Sequence, residues 1–224
     1  PPRSTLFPYT TLFRSEELVR YSREAGLTVP TFHDDALEAN SWNGIVDIYG
    51  FNKYILRFTK DTSKPWDPAM IRRSTDKTEK HIESFGPPAN QNPIFIPEFQ
   101  GGWYNHWGMN VSYDDLYSWY GSTYQKLILE SICAQRCTAQ FLYMFYGGTN
   151  YGSIINPEVY TSYDYSACIR EYGFLSDRFR YTRLFNLFVS SFQGSLCQTE
   201  PADLPSIICT EPDIYYAERK SHDG

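Results

Sequence analysis

IFIPEFQGGWYNHW, residues 94–107, is the stretch from which the rest of the chain is best interpreted. Its first three residues are apolar and predict a buried strand. Pro97 cannot donate to a strand ladder, and it stands directly before a single carboxylate, Glu98. Gly101 and Gly102 then allow a sharp turn. The loop that follows carries the aromatic side chains Trp103, Tyr104, His106 and Trp107.

A carboxylate at a strand tip beside flat rings is typical of enzymes that cleave sugars. The carboxylate serves as nucleophile or acid/base, and the rings stack on the apolar faces of pyranoses. The alternative is an exposed or ion-paired surface Glu, which is the commoner state of this residue type.

Apolar strands alternate with helical stretches along the chain, which predicts an α/β fold with a parallel sheet. We expect strands at residues 27–33, 45–51, 94–98 and 139–146, and helices at 16–25, 67–83, 114–135 and 176–192. Four β/α units amount to half of a (β/α)8 TIM barrel, in which functional residues collect at the C-terminal ends of the strands. Asp34, Tyr54, Glu98 and Asn150 all follow a predicted strand.

Three parts are expected along the 224 residues. Residues 1–15, PPRSTLFPYTTLFRS, lack periodicity, resemble a translated adapter and predict a non-native leader before a helix capped by Ser15. Residues 16–195 predict the second half of a catalytic barrel. Residues 196–224 predict a linker and the start of a β domain, with a first strand at 214–216.

Composition excludes several classes of function. A net charge of −6 without a basic cluster argues against nucleic acid as a partner. No apolar run approaches the roughly 20 residues of a membrane span, so no membrane partner is expected. The four histidines and five cysteines form no metal-ligand spacing, and we expect no metal. Cys133 and Cys137, one helical turn apart, are expected to share a helix face.

Four motifs in order resemble the glycoside hydrolase family 35 β-galactosidases of fungal type: VDIYGFNKY, IPEFQGGWYNHWG, YMFYGGTNYG and VYTSYDYSACIREYG. The resemblance covers the chain from about residue 16 onward. It implies hydrolysis of terminal β-D-galactose residues of oligo- or polysaccharides by retaining double displacement, without a cofactor, in a secreted enzyme that has lost its signal peptide. Glu98 would be the nucleophile. The family's acid/base, in an Asn-Glu pair, has no counterpart here, so we expect the chain alone to be nearly inactive.

The resemblance also implies substrate contacts. Tyr54 would bond near the nucleophile and the sugar, Trp103 would form a wall of the galactose pocket, and Tyr165 would contact galactose while Asp164 positions its loop. A core or surface tyrosine is the alternative at position 54, and a loop-packing tyrosine at position 165.

Further expectations concern Trp107, Asn150 and the Asp34-Asp35 pair. We expect Trp107 to pack beneath Trp103 and the Gly-Gly turn at 147–148 to bring Asn150 towards the site. We expect Asp34 and Asp35 to cap the next helix, and the alternative is that they shape the rim of the site.

Two readings of function stay open beside the family one. A non-catalytic carbohydrate-binding remnant would keep the rings without needing Glu98. A retaining glycosidase of different specificity, for instance for β-glucosaminides, would keep Glu98 among different rings. Ile55 and Leu56 stand where fungal members have Pro, so leaving-group preference is open as well.

Overall fold

A computed structural model describes residues 7–36, 40, 43–55, 67–152, 159–202, 206–211, 214 and 216–221, and for residues 7–14 and 201 it describes the backbone alone. Leu56, His222 and the first residues of the predicted leader lie outside these ranges.

Three parallel strands form the centre of the fold: β1 (Gly50–Lys53), β2 (Ile94–Gln100) and β3 (Cys137–Tyr143), in that spatial order. Single parallel bridges extend the sheet on both sides. On the side of β1, Phe32 pairs with Ile48 and Asp35 pairs with Phe51. On the side of β3, Tyr146 pairs with Ile169. The predicted α/β class with a parallel sheet is confirmed. The first two predicted strands are displaced, because residues 27–33 contribute a single bridge and β1 starts only at residue 50.

Helices pack against the sheet. Two of the predicted helices are each interrupted in the structure. The helix expected at 67–83 is two helices, α2 (Pro68–Thr75) and α3 (Thr78–Glu83), and the one expected at 114–135 is α4 (Tyr113–Trp119) and α5 (Ser122–Ala134). Gly121 separates the second pair, since glycine favours a helix end over its interior. The longest helix is α6 (Asp177–Leu196), which extends beyond its predicted end.

Local capping follows the sequence closely. The Asp67 side chain accepts from the Ala69 N–H at the start of α2. Ser112 and Asp115 form a reciprocal capping box at α4, as the Ser-x-x-Asp spacing allows. The N-terminal helix is the exception, because α1 runs Phe7–Glu24 and Ser15 lies inside it instead of capping it.

The core lies between the outer face of the sheet and α2, α3 and α5. Ile96 and Phe99 of β2 are fully buried against Tyr124, Ile128 and Ile132 of α5. Apolar residues on both sides of this layer remove their side chains from water, which is the main force that holds helix and sheet together.

The C-terminal segment returns to the helical layer. Strands β4 (Thr199–Pro201) and β5 (Arg219–Ser221) pair antiparallel, so the strand expected at 214–216 lies a few residues further on. Arg219 reaches the buried carboxylate of Glu79 on α3 at 3.4 Å, and Arg136 contacts the same carboxylate at 3.2 Å.

The cysteines are all free thiols. Cys133 lies in α5 but Cys137 opens β3, so the expectation of a shared helix face was wrong.

Candidate active site

Glu98 lies near the C-terminal end of β2, half-buried, with its carboxylate held from the neighbouring strand. Asn52 Nδ2 donates to Glu98 Oε2 at 2.7 Å, and the Tyr54 hydroxyl donates to Oε1. Asn52 is also the register partner of Glu98 in the β1–β2 ladder, so the two side chains leave the sheet side by side.

A local irregularity in β2 places this carboxylate. Ile96 pairs with Gln140 and Phe99 with Leu142, so β2 has one residue more than β3 over this interval. The extra residue falls at Pro97–Glu98, where Pro97 has no N–H to contribute to the ladder. Such a bulge bends the strand and changes the direction of a side chain. Ile96 and Phe99 are therefore both buried while Glu98 between them is only partly so.

Trp103, Tyr54 and Tyr165 gather around the carboxylate. The Tyr54 and Trp103 rings meet edge to face at 5.5 Å, and the Trp103 N–H donates to the Tyr165 carbonyl at 3.0 Å. Tyr165, which is 2% exposed, lies close enough to Tyr54 to add to the effect of burial in raising the pKa of its phenol. The structure thus brings together all four residues that the sequence marked for the site.

Three further rings complete this wall, of which the sequence had drawn attention only to Tyr104. Tyr104 stacks on Trp103 at 5.4 Å, and Tyr143 and Tyr163 contact the Tyr165 ring at 5.5 and 5.3 Å. Their presence in three of the four resemblance motifs was the available signal, but a tyrosine-rich motif does not say which rings face the site.

The loop that carries Tyr165 has a strained backbone held by one carboxylate. Tyr165 and Ser166 have φ of 61° and 48°, which non-glycine residues seldom adopt. Asp164 accepts from the Ser166 N–H at 3.0 Å and from Arg170 Nε at 2.7 Å. These bonds fit the expectation that Asp164 positions the loop.

Trp107 and Asn150 make contacts other than those expected. Trp107 does not lie beneath Trp103; it is 63% exposed and meets Tyr160 edge to face at 4.7 Å. Asn150 Nδ2 donates to the Tyr160 carbonyl at 2.9 Å, which ties it to the neighbouring loop and not to Glu98.

Asp34 has a different neighbour from the one expected. Partial desolvation and the charge of Glu98 raise the pKa of its carboxyl, and the second cause marks Glu98 as a neighbour. The first helix after Asp34 in the described chain is capped by Asp67. Residues 37–39, 41 and 42 lie outside the described ranges, and so does any helix cap that would rest on them.

The electrostatics of the cluster favour protonated partners around one carboxylate. Burial, Tyr165 and Glu98 together raise the pKa of Tyr54 above its ordinary value, so the phenol remains a hydrogen-bond donor. Burial likewise raises the pKa of Tyr165. Partial desolvation and the charge of Glu98 raise the pKa of Asp34 to about 6.

Within the described ranges, no group of three or more His, Cys, Asp or Glu side chains is placed to hold a metal ion. In the same part of the chain, no helix has the length and apolar character to cross a membrane.

Comparison with known proteins agrees with this geometry. The family model of glycosyl hydrolases family 35 matches residues 33–188, which include every residue of the cluster. The chain belongs to glycosyl hydrolases family 35. The family implies a TIM-barrel catalytic domain, and the structure of this chain is mixed α/β with a parallel sheet.

Curated relatives of the chain are named as probable β-galactosidases. "Probable beta-galactosidase C" of Aspergillus niger is 33% identical over 81% of this chain and 18% of its own length. "Probable beta-galactosidase B" of Sclerotinia sclerotiorum is 32% identical over 93% of this chain and 21% of its own. "Probable beta-galactosidase B" of Aspergillus niger is 34% identical over 85% and 19%. The chain is a glycoside hydrolase sequence that spans about a fifth of the length of these relatives.

Proposed function

We propose that this chain supplies the nucleophile half of a β-galactosidase that cleaves terminal, non-reducing β-D-galactose residues with retention of configuration. The observation that carries the proposal is the Glu98 carboxylate, held by Asn52 and Tyr54 and walled by Trp103 and Tyr165. The part of the barrel described here would correspond to about the last four β/α units.

The proposed reaction has two displacements. A Glu98 oxygen attacks the anomeric carbon, the bond from that carbon to the leaving oxygen breaks, and a galactosyl ester forms. Water then attacks the same carbon, and Glu98 leaves as a carboxylate. Asn52 and Tyr54 fix the carboxylate in one orientation, so that little rotation is required before attack.

The leaving oxygen needs a proton, which retaining enzymes take from a second carboxyl about 5–5.5 Å from the first. Asp34 is not the Glu of the Asn-Glu pair that carries this role in the family, and it lies on the segment paired to β1 beside Asn52. The sequence holds no Asn-Glu pair. We expect hydrolysis of galactosides with poor leaving groups to be slower by about 10²- to 10⁴-fold than in an enzyme with both carboxyls.

The test uses a substrate that needs no general acid. 2,4-Dinitrophenyl 2-deoxy-2-fluoro-β-D-galactoside has a leaving group that departs unprotonated, and its fluorine slows breakdown of the ester, so the ester accumulates. Intact-mass measurement should show one fluorogalactosyl group, and peptide mapping should place it on Glu98.

Two controls sharpen this test. Glu98→Gln keeps the size and hydrogen bonding of the side chain but removes the nucleophile, and should abolish labelling. The epimeric fluoroglucoside should label far more slowly. A chain that binds galactose and takes no label would be a non-catalytic carbohydrate-binding remnant, and equal labelling by the glucoside would indicate another specificity.

The remaining parts of the prediction rest on the family resemblance. An extracellular location of the whole protein and the boundaries at residues 15 and 195 are proposals of that kind. Sequencing the transcript upstream of residue 16 and searching it for a secretion signal and an Asn-Glu pair tests both.

A further inference from the structure

Three neighbouring strand tips place Asp34, Asn52 and Glu98 in one row. The Asp35 N–H donates to the Gly50 carbonyl at 3.1 Å, and the Asn52 N–H donates to the Asp35 carbonyl at 2.7 Å. Asn52 in turn is the register partner of Glu98. The segment around Asp34 is therefore bonded to β1 as β1 is bonded to β2. Partial desolvation and the charge of the Glu98 carboxylate raise the pKa of the Asp34 carboxyl, and the second cause is expected for two neighbouring acids in this row.

A hydrogen bond between two carboxyl groups requires a proton on one of them, because carboxylates only accept. Glu98 already accepts from the Asn52 amide and the Tyr54 hydroxyl. Each Glu98 oxygen thus already accepts a hydrogen bond, so the proton for a bond between the two carboxyls comes from Asp34. Asp34 is also the more exposed of the two carboxyls.

We propose that Asp34 is a positioning residue for the nucleophile: protonated, it donates to the Glu98 carboxylate and holds back its attack, and deprotonated, it releases it. This inference rests on the proposed function of Glu98. The charge on Glu98 is consumed as the ester forms, so a donor to that charge stabilises the ground state more than the transition state. An ionised Asp34 also adds negative charge beside the oxocarbenium-like transition state. This charge stabilises the transition state, so it too raises the rate when Asp34 loses its proton.

The surrounding groups leave Asp34 as the group that titrates in this range. Partial desolvation, the charge of Glu98 and the charge of Asp35 raise the pKa of Asp34 to about 6. Burial lowers the pKa of His33 to about 4, so that ring is neutral already where Asp34 begins to ionise. Asn52 carries no charge, and the Tyr54 phenol stays neutral because its pKa is raised.

The experiment is the pH profile of labelling by the dinitrophenyl fluorogalactoside, measured on the full chain from well below to well above pH 6. The wild-type rate should rise roughly tenfold through a single step, the effect of one charge-assisted hydrogen bond on an anionic nucleophile. Asp34→Asn keeps a donor but cannot ionise, and should hold the low-pH rate throughout. Asp35→Asn is the matched control, and should keep the step with its midpoint shifted slightly downward. A step that survives in Asp34→Asn, or disappears in Asp35→Asn, would overturn the proposal.

A second measurement separates this proposal from the proposed function. In protein with ¹³C-labelled aspartate, the Asp34 carboxyl resonance should titrate near 6, and in Glu98→Gln its midpoint should fall towards the ordinary value of 3.8. If Glu98 takes no label but this titration is seen, the coupling of the two carboxyls stands and the nucleophile assignment fails. A wild-type midpoint near 3.8 would refute the coupling itself.

Discussion

Gly102 offers a quantitative test of how closely the nucleophile strand and the Tyr165 loop approach each other. A Cβ added at Gly102 would lie 1.9 Å from the Tyr165 carbonyl oxygen, and the residue has a φ of +152°. Its own carbonyl accepts from Gln100 Nε2 at 3.4 Å, and the next N–H, that of Trp103, donates to the Tyr165 carbonyl at 3.0 Å. Gly102→Ala must therefore move one of two backbones that hydrogen bonds hold together.

The cost of Gly102→Ala has three parts. A non-glycine residue in this backbone region costs about 1–3 kcal/mol. Forcing a methyl group into a closed contact costs about 1–3 kcal/mol. Loss of the Trp103 hydrogen bond adds about 1 kcal/mol. Allowing for overlap among them, we expect a loss of roughly 3–5 kcal/mol in the free energy of unfolding, which is large for a single substitution.

Two other glycines provide matched controls. Gly108 has a φ of +87° but nothing within 4 Å of an added Cβ, so Gly108→Ala should cost about 1–2 kcal/mol from backbone strain alone. Gly194 lies in α6 with open space around it, and Gly194→Ala should stabilise the chain by up to about 1 kcal/mol.

Urea denaturation of the three variants and the wild type measures these differences as shifts in midpoint at constant slope. Gly102→Ala and Gly108→Ala both place a side chain at a positive φ, and only Gly102→Ala adds a clash with Tyr165. If the free energies of unfolding of Gly102→Ala and Gly108→Ala differ by less than about 1 kcal/mol, the close approach of the two backbones is refuted. Labelling of Glu98 should also fall in Gly102→Ala, since the displaced loop carries a wall of the site.

Two further predictions concern charged groups that hold loops and layers together. Arg219→Ala removes one of two cations from the buried Glu79, whose pKa burial already raises, while Arg136 remains as a partner. We expect a loss of about 1–3 kcal/mol in the free energy of unfolding at neutral pH. The folded state holds the Glu79 proton more tightly than the unfolded state, so this loss should shrink as pH falls through the raised folded-state pKa and be absent below the unfolded value near 4.5. Urea midpoints that show the same loss at neutral pH and below pH 4.5 would contradict this. Asp164→Asn weakens the charged bonds to Arg170 and should cost about 1–3 kcal/mol and slow labelling of Glu98; an unchanged midpoint with unchanged labelling would show that the loop does not depend on that carboxylate.

The sequence predicted β2 and its carboxylate well because their cause is local. An apolar run makes the strand, and Pro97 interrupts its ladder beside Glu98. The breaks at Gly121 and between α2 and α3 were missed, because apolar periodicity continues across them and only the packing of each short helix against the sheet decides where it stops.

The sequence predicted the part of the site whose residues lie in recognisable local motifs. Tyr54, Trp103 and Tyr165 were named because they belong to motifs, and the structure places them around Glu98. Asn52 stood one strand away from Glu98 and was passed over, although it makes a 2.7 Å bond to the carboxylate.

Sequence alone determined the elements whose causes lie within a few residues: the capping box at Ser112, the apolar strand before Glu98 and the family to which the motifs belong. Only the tertiary structure decided which strand tips meet. Asn52 and Glu98 are 46 residues apart along the chain, and their contact follows from register in a parallel sheet, whose strands are joined by long crossovers. The position of Asp34 beside Glu98 arises in the same way, because backbone pairing, not any nearby residue, brings the two carboxyls together.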